Sequence, residues 1–455
     1  MIAAAGSIRR AVSMAFLSLT WTVVTLGADN EPVATIARSD IVIYAGQLID
    51  GVSRVPRHHV SILIHDQKIE SVQDDFVAPA GAHVIDLSKA TVLPGLIDCH
   101  VHVTGAGVSL ADRVSLTAAD MALVGSANAR QALYAGFTTL RNVGADYGSD
   151  VALKKAIDAG IVPGPRLWIS REPLGPTGGH SDPTNGMQPD INNAQWQGRV
   201  IDSPEEGIRA VREHRKYGAD LIKIMPSGGV GSIGDDPARQ LMTNEELKAI
   251  IETAHTLGMK VAVHAHGKAA IDAAVRLGVD SIEHGSYADS ESYKLMKEHG
   301  TYLVPTVLVA QRISELARTH PEKMATPEMA AKILPIAPRM LKNLADAHKA
   351  GVKIAFGTDA TGGSIRFGEL AKEFSVMVAA GMTPMDAIIA ATANAADLIG
   401  AADKVGSVRP GRFADLIAVS SDPLTDITNL AHVSFVMKGG TIIKGDPVDQ
   451  TPDTQ

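Results

Sequence analysis

The sequence predicts an α/β fold: a (β/α)8 TIM barrel of eight parallel strands, with a small β-sandwich domain built from both termini. Three observations predict it. From about residue 94 to 395, strand-like and helix-like segments alternate, which implies a parallel sheet. Their number, over roughly 300 residues, favours a closed barrel over an open doubly wound sheet. No Gly-x-Gly-x-x-Gly follows a strand to suggest dinucleotide binding. On both sides of this region, short strands and turns recur without helices. The expected domains are therefore 1–28 (leader), 29–93 and 396–455 (the two parts of the sandwich) and 94–395 (barrel).

Arg9 and Arg10 precede an uncharged run from Ala11 to Ala28, with small residues Gly27 and Ala28 at its end. That is the pattern of a secretory signal peptide. A membrane anchor is the alternative, and the run is marginal for spanning. A periplasmic or secreted enzyme, with no stable membrane association after leader removal, is expected. Next, Asp40–Ala45 and Val60–Ile64 read as strands, separated by Gly46 and Asp50-Gly51 and followed by an Asp66-Gln67 turn. Further strands are expected at Thr138–Val143, Leu221–Met225, Lys260–His264, Asp280–His284, Tyr302–Thr306 and Lys353–Thr358. Between them, Thr243–Gly258 is the clearest helix. Thr243 and Glu246 form a capping box, Leu247, Ile250, Ile251 and Ala254 make one apolar stripe, and Gly258 ends it. Ala269–Leu277, closed by Gly278, is another. Ala414–Ser420 and Val433–Met437 are strands, with Lys438-Gly439-Gly440 as a hairpin turn.

Composition excludes some functions. A net charge of -8 with 4% aromatics does not suit a nucleic-acid surface. The single Cys99 excludes internal disulfides and Cys-based zinc sites. On a strand it faces away from its neighbours Asp98 and His100 and packs as a small apolar residue.

Catalytic groups in such a barrel sit at the C-terminal ends of strands. The polar residues there are His100 and His102, Lys223, His264 and His266, His284, and Asp359. Residues i and i+2 of a strand share a face, so His100 and His102 can reach one ion. Each residue alone has an ordinary reading: a surface or core histidine, a snorkelling lysine, a helix-capping aspartate. Together, imidazoles and carboxylates converging on one point make a divalent-metal site, with zinc the expected ion. Lys223 lies within an apolar strand, where an isolated ammonium is costly and would repel a metal. Carboxylation by carbon dioxide would convert it to an anion able to bridge two ions. The alternative is an ordinary lysine pairing with a substrate carboxylate.

The motifs Leu93-Pro94-Gly95-Leu96-Ile97-Asp98-Cys99-His100-Val101-His102, Thr177-Gly178-Gly179-His180, Val263-His264-Ala265-His266-Gly267, Ile282-Glu283-His284-Gly285 and Phe356-Gly357-Thr358-Asp359 carry a resemblance. With Thr138–Gly144 and Gly411–Ile417, they resemble the amidohydrolase superfamily. Within it, they are similar to the metal-dependent branch of Xaa-Pro and Xaa-Arg dipeptidases and ochratoxinase-like amidases. The resemblance implies a binuclear site. His100, His102 and Asp359 would hold the deeper ion and His264 and His284 the other, with carboxylated Lys223 and hydroxide between them. It implies amide hydrolysis by attack of that hydroxide, with Asp359 as general base and then acid. His266 would be the donor to the oxyanion, and His180 a weaker one that lines the pocket. The Ser227-Gly228-Gly229 loop could offer backbone amides to a substrate carboxylate, or be a flexible turn. Asn142 departs from the branch, which often has Asp there, so a tuned hydrogen bond is expected. Substrates would be dipeptides, N-acyl amino acids or ochratoxin-like amides. Cyclic amide hydrolysis or deamination is the alternative. A homo-oligomer, possibly an octamer, is also implied.

Overall fold

The computed structural model describes residues 41–105, 115–191, 199–324 and 326–445, so the expected leader lies outside the described residues. The described residues open with β1 (Ile41–Leu48), β2 (Arg57–His65), β3 (Lys68–Asp74) and β4 (His83–Pro94). Seven parallel strands follow: β5 (Leu96–Val101), β6 (Phe137–Asn142), β7 (Arg166–Ile169), β8 (Leu221–Ile224), β9 (Lys260–Ala265), β10 (Ser281–His284) and β11 (Tyr302–Val304). Three more are the last strands of the described residues: β12 (Leu416–Val419), β13 (Val433–Lys438) and β14 (Thr441–Lys444).

The first four and last three strands of the described residues share one sheet, ordered β14-β13-β12-β4-β1-β2-β3. It is a single hydrogen-bonded sheet where two stacked sheets were expected. The reason is β4, whose first half pairs with β1 and whose last residues, Thr91–Pro94, also pair with β12. A register shift between Ala45 and Gln47 bends this junction. It needs Gly46, because a Cβ there would lie 2.2 Å from the Ser88 carbonyl oxygen. Ile43, Ile62, Ile85, Leu416 and Phe435 belong to one buried cluster, so both halves share a core. The β13–β14 hairpin turns at Gly439 and Gly440, with φ of 54° and 74°, the conformation a two-residue turn requires.

Strands β5–β7 and β8–β11 form two parallel sheets linked at both sides. Leu174 bridges Ile224, with its amide 2.9 Å from the Lys223 carbonyl. On the other side Ile354 bridges Leu303, and Ala360 bridges Val101. Residues 353–360, expected as a strand, thus pair with β11 at one end and β5 at the other. They hold no regular ladder, because the Phe356 amide turns to Ala390 (2.9 Å) and Asp359 takes a φ of 59°.

Helices lie between these strands. They are α1 (Ala118–Tyr134), α2 (Ser149–Asp158), α3 (Pro204–Lys216), α4 (Asn244–Thr256), α5 (Lys268–Arg276), α6 (Ser290–His299), α7 (Val307–Thr319), α8 (Pro327–Ala350), α9 (Lys372–Ala379), α10 (Pro384–Ala390) and α11 (Ala393–Leu398). The capping box at α4 forms as expected: Thr243 accepts from the Glu246 amide and Glu246 from the Thr243 amide. Its buried stripe is Leu247, Ile250, Ile251 and Ala254. Among the described residues no helix is long and apolar enough to cross a membrane.

Candidate metal centre

Parallel strands place their C-terminal ends together, and there the polar residues meet. His100 and His102 share a face, and their Nε2 atoms lie 3.4 and 3.2 Å from the same oxygen, Oδ1 of Asp359. Cys99 turns the other way, into a cluster with Ile97 and Ala395, and burial pushes its thiol up to about 12. Ring centroids trace a continuous path: His102 to His100 at 5.6 Å, His100 to His284 at 5.1 Å, His284 to His264 at 4.7 Å. His266 stacks on His284 at 5.0 Å, and His180 on His264 at 4.4 Å. His284 and Asp359 both have positive φ, 70° and 59°, an uncommon backbone state that concentrates at working sites.

The protonation of these rings follows from what their other nitrogens touch. His100 Nδ1 is 2.8 Å from Glu283 Oε2, and His102 Nδ1 is 3.2 Å from the Gly144 carbonyl. Both partners only accept, so neutral rings carry hydrogen on Nδ1 and a lone pair on Nε2. His264 is reversed: Nε2 is 3.3 Å from the Gly228 carbonyl, leaving the lone pair on Nδ1. His284 Nδ1 is 2.7 Å from Thr306 Oγ1. Burial keeps the rings of His100, His264, His266 and His284 neutral. It pulls His100 down to about 4 and His266 to about 3, and His264 and His284 well below the usual range. Neutral imidazoles oriented through their second nitrogens are metal ligands in waiting. The donor atoms of His100, His284 and Asp359 all lie within 4.8 Å of one another.

Lys223 is buried, 1% exposed, so it does not snorkel. It has no hydrogen-bond or ion-pair partner among the described residues. Burial lowers its ammonium to about 8, against the opposing pull of Glu283 and Asp359. Glu283 is buried too, and Arg141 donates to it at 2.8 Å. Burial alone would raise this carboxyl, but Arg141 and His100 outweigh it and hold it near 2. Asp359 likewise stays ionised: burial is offset by His100 and His102.

Over residues 91–443 the sequence matches the amidohydrolase family. The chain belongs to that family.

Ochratoxinase of Aspergillus niger is 37% identical over 451 residues, covering 93% of this chain and 91% of the relative. A solved Xaa-Pro dipeptidase with methionine in its active site aligns with a TM-score of 0.85 at 38% identity, over 90% of this chain and all (100%) of the other. A prolidase complexed with N-methylphosphonate-L-proline aligns at 0.82 with 32% identity, over 90% and 100%. This amidohydrolase is therefore a hydrolase of amide bonds, with an α/β fold similar to those enzymes and a His/Asp cluster suited to metal.

The glycine loop of the amidohydrolase differs from expectation. The Gly229 amide is not open to a substrate carboxylate, because it donates to Asp235 Oδ2 at 3.2 Å. Ser227 is buried and internal: its hydroxyl accepts from the His266 amide at 3.1 Å and donates to the Gly228 carbonyl at 2.9 Å. Gly228 aims its carbonyl at His264, as described. Gly229 serves His180, since a Cβ there would lie 2.2 Å from His180 Nδ1. Asn142 does make the tuned bonds expected. Its Oδ1 accepts from the Val103 amide at 2.6 Å, and its Nδ2 donates to Gly144 and buried Asp150.

Sequence reading gave no role to Glu283, Arg141, Asp98, Ser286 or Thr306. The available signal was opposite charge in two apolar strands, Arg141 in β6 and Glu283 in β10. Which histidine that pair orients emerges only from folding.

Proposed function

We propose that this amidohydrolase is a binuclear metal enzyme that releases an amino acid from dipeptides or N-acyl amino acids, including ochratoxin-like amides. Buried Lys223, with no hydrogen-bond or ion-pair partner among the described residues and set among neutral histidines, is the observation that carries this reading. With an ammonium lowered to about 8, a useful share of the amine is neutral near pH 8 and can combine with carbon dioxide. The carboxylated lysine satisfies a site that an ammonium would not. The linked pairings of β5–β11 and 353–360 support a closed eight-stranded barrel around it.

His100, His102 and Asp359 would hold one ion, His264 and His284 the other, and Lys223 both. When bound, two such ions, zinc by ligand type, polarise a carbonyl and lower the pKa of water. Asp359, held ionised, accepts a proton and passes it to the leaving nitrogen. His266 Nδ1 lies 2.6 Å from Ser286 Oγ. If that hydroxyl donates, Nε2 carries the hydrogen and can serve a developing oxyanion. The expected leader at 1–28 supports export, and a homo-oligomer is proposed from the family resemblance alone. The mature N-terminus and the mass in solution test these two readings.

The decisive experiment is a hydrolysis screen over dipeptides and N-acyl amino acids, varying the C-terminal residue from Pro to Arg to Phe, with metal counted per chain. Two ions and release of free amino acid are expected. Clearly fewer than two ions with metal and bicarbonate supplied would refute the binuclear site.

A further inference from the structure

One peptide group beside the metal centre is held at both ends. Its carbonyl, that of Gly228, lies 3.3 Å from His264 Nε2. Its amide, that of Gly229, donates to Asp235 Oδ2 at 3.2 Å. The C=O and N–H of a trans peptide point in opposite directions, so a carboxylate that holds the N–H aims the C=O. Asp235 is itself fixed. Its Oδ1 lies 2.7 Å from Nζ of Lys332 on α8, and the two side chains are only 1% and 10% exposed. Ser232 Oγ donates to Oδ2 at 2.6 Å. Lys332 also donates to the Ser232 carbonyl at 2.8 Å, and Glu328, one turn earlier on α8, accepts from the Gly234 amide at 3.0 Å.

Glycine at 228 is what lets the loop close in this way. A Cβ there would lie 2.5 Å from the carbonyl carbon and oxygen of Asp236, the residue after the one that Lys332 grips. The donor inventory sets the direction at His264. A backbone carbonyl only accepts, so the ring gives its Nε2 proton to Gly228 and keeps the lone pair on Nδ1. An anion at the N–H end of a peptide polarises it and strengthens its carbonyl as an acceptor. Carboxylates commonly hold the second nitrogen of a metal-binding histidine directly, as Glu283 holds His100. At His264 a peptide stands between ring and carboxylate. A buried ion pair adds little net stability over apolar side chains of the same volume, so the Lys332–Asp235 pair is accounted for by what Asp235 holds.

We infer that Asp235, fixed by Lys332, is a positioning residue for His264: through the Gly228–Gly229 peptide it selects the Nε2–H tautomer and leaves Nδ1 as the atom offered to metal. This deepens the binuclear reading and rests on it for the ion, whereas the tautomer belongs to the metal-free chain as well. It gives the glycine loop a task other than substrate contact, and it ties α8 to one ligand of the centre.

Nitrogen-15 spectra of the full, metal-free chain labelled at histidine read the tautomer, with His264 assigned by loss of its signals in His264→Gln. Protonated Nε2 and unprotonated Nδ1 are expected. In Asp235→Asn, Lys332 keeps the amide oxygen, the NH2 faces the Gly229 amide donor to donor, and the peptide turns away. His264 should then show a mixture of tautomers. Chelator competition with zinc reads the ion: Asp235→Asn should weaken one of the two ions about tenfold to a hundredfold and leave the other unchanged. The double variant Lys332→Met/Asp235→Leu removes the pair without stranding a charge. It should melt close to the unmutated chain yet lose the same metal affinity, which a merely structural pair would not do. Protonated Nδ1 with bare Nε2 in the unmutated chain would overturn the inference. So would unchanged zinc affinity in either variant, or an Asp235→Asn loss equally large in the His264→Gln background. If the unmutated chain binds fewer than two ions, the binuclear reading fails, while the spectra of the unmutated chain and Asp235→Asn still decide what Asp235 does to His264.

Discussion

Lys223 and Asp359 are two buried titratable residues that respond to burial differently: Lys223 is shifted toward its neutral form and Asp359 is kept ionised. Lys223 loses solvation and has no hydrogen-bond or ion-pair partner among the described residues, whereas Asp359 gains His100 and His102 within 3.4 Å. Lys223→Ala should abolish turnover, with partial rescue by a small carboxylic acid; full activity in the variant would rule out the carbamate. Asp359→Asn should retain some metal while kcat drops at least about a hundredfold. The lysine also makes a pH prediction for the metal-free protein. Its folded value of about 8 lies below the ordinary 10.5. Between these values the unfolded chain binds more protons, so stability rises with pH across that window, by ~3 kcal/mol. Lys223→Met should remove that rise when denaturant unfolding is compared at pH 8 and pH 10.5.

Loops and helix ends decide how the rings sit. Thr306, at the start of α7 with a φ of 48°, makes no cap hydrogen bond, because its hydroxyl faces His284. Glu373 of α9 takes over the cap, accepting from the Val307 and Leu308 amides at 2.9 and 2.8 Å. A side chain from a distant helix thus releases Thr306 to orient His284, a proposed metal ligand. Gly229 is the second such place. Gly229→Ala should displace His180 and lower kcat/KM by about a hundredfold if the ring moves an ångström. Thermal melting should be little changed, because the loop lies outside the main core.

For the whole molecule the critical joint is where residues 353–360 meet β5. Buried Asp98 accepts from Thr358 Oγ1 at 2.7 Å and from the His100 amide at 3.0 Å, so it ties the two sides of that joint. Thr358→Val should cost about 1–3 kcal/mol and loosen Asp359 beside it. Denaturant midpoints measure the first effect, and metal retention under a chelator measures the second. If stability falls but metal is held as tightly as before, the joint does not govern the site.

Periodicity and ligand spacing alone made the β/α alternation, the α4 capping box, the paired histidines and the odd lysine legible. These are local properties, carried by residues near one another in the chain. The roles of Glu283 and Arg141 were not legible, since each acts on a residue far away in sequence. The same holds for Gly229, a flexible turn by composition and a ring-sized opening in space, and for the corner in β4 that makes one sheet of two expected. By itself the sequence determined which residues could bind metal. Only the tertiary structure decided which nitrogen of each histidine keeps its proton, because a tautomer is chosen by the acceptor that folding brings to the other side of the ring.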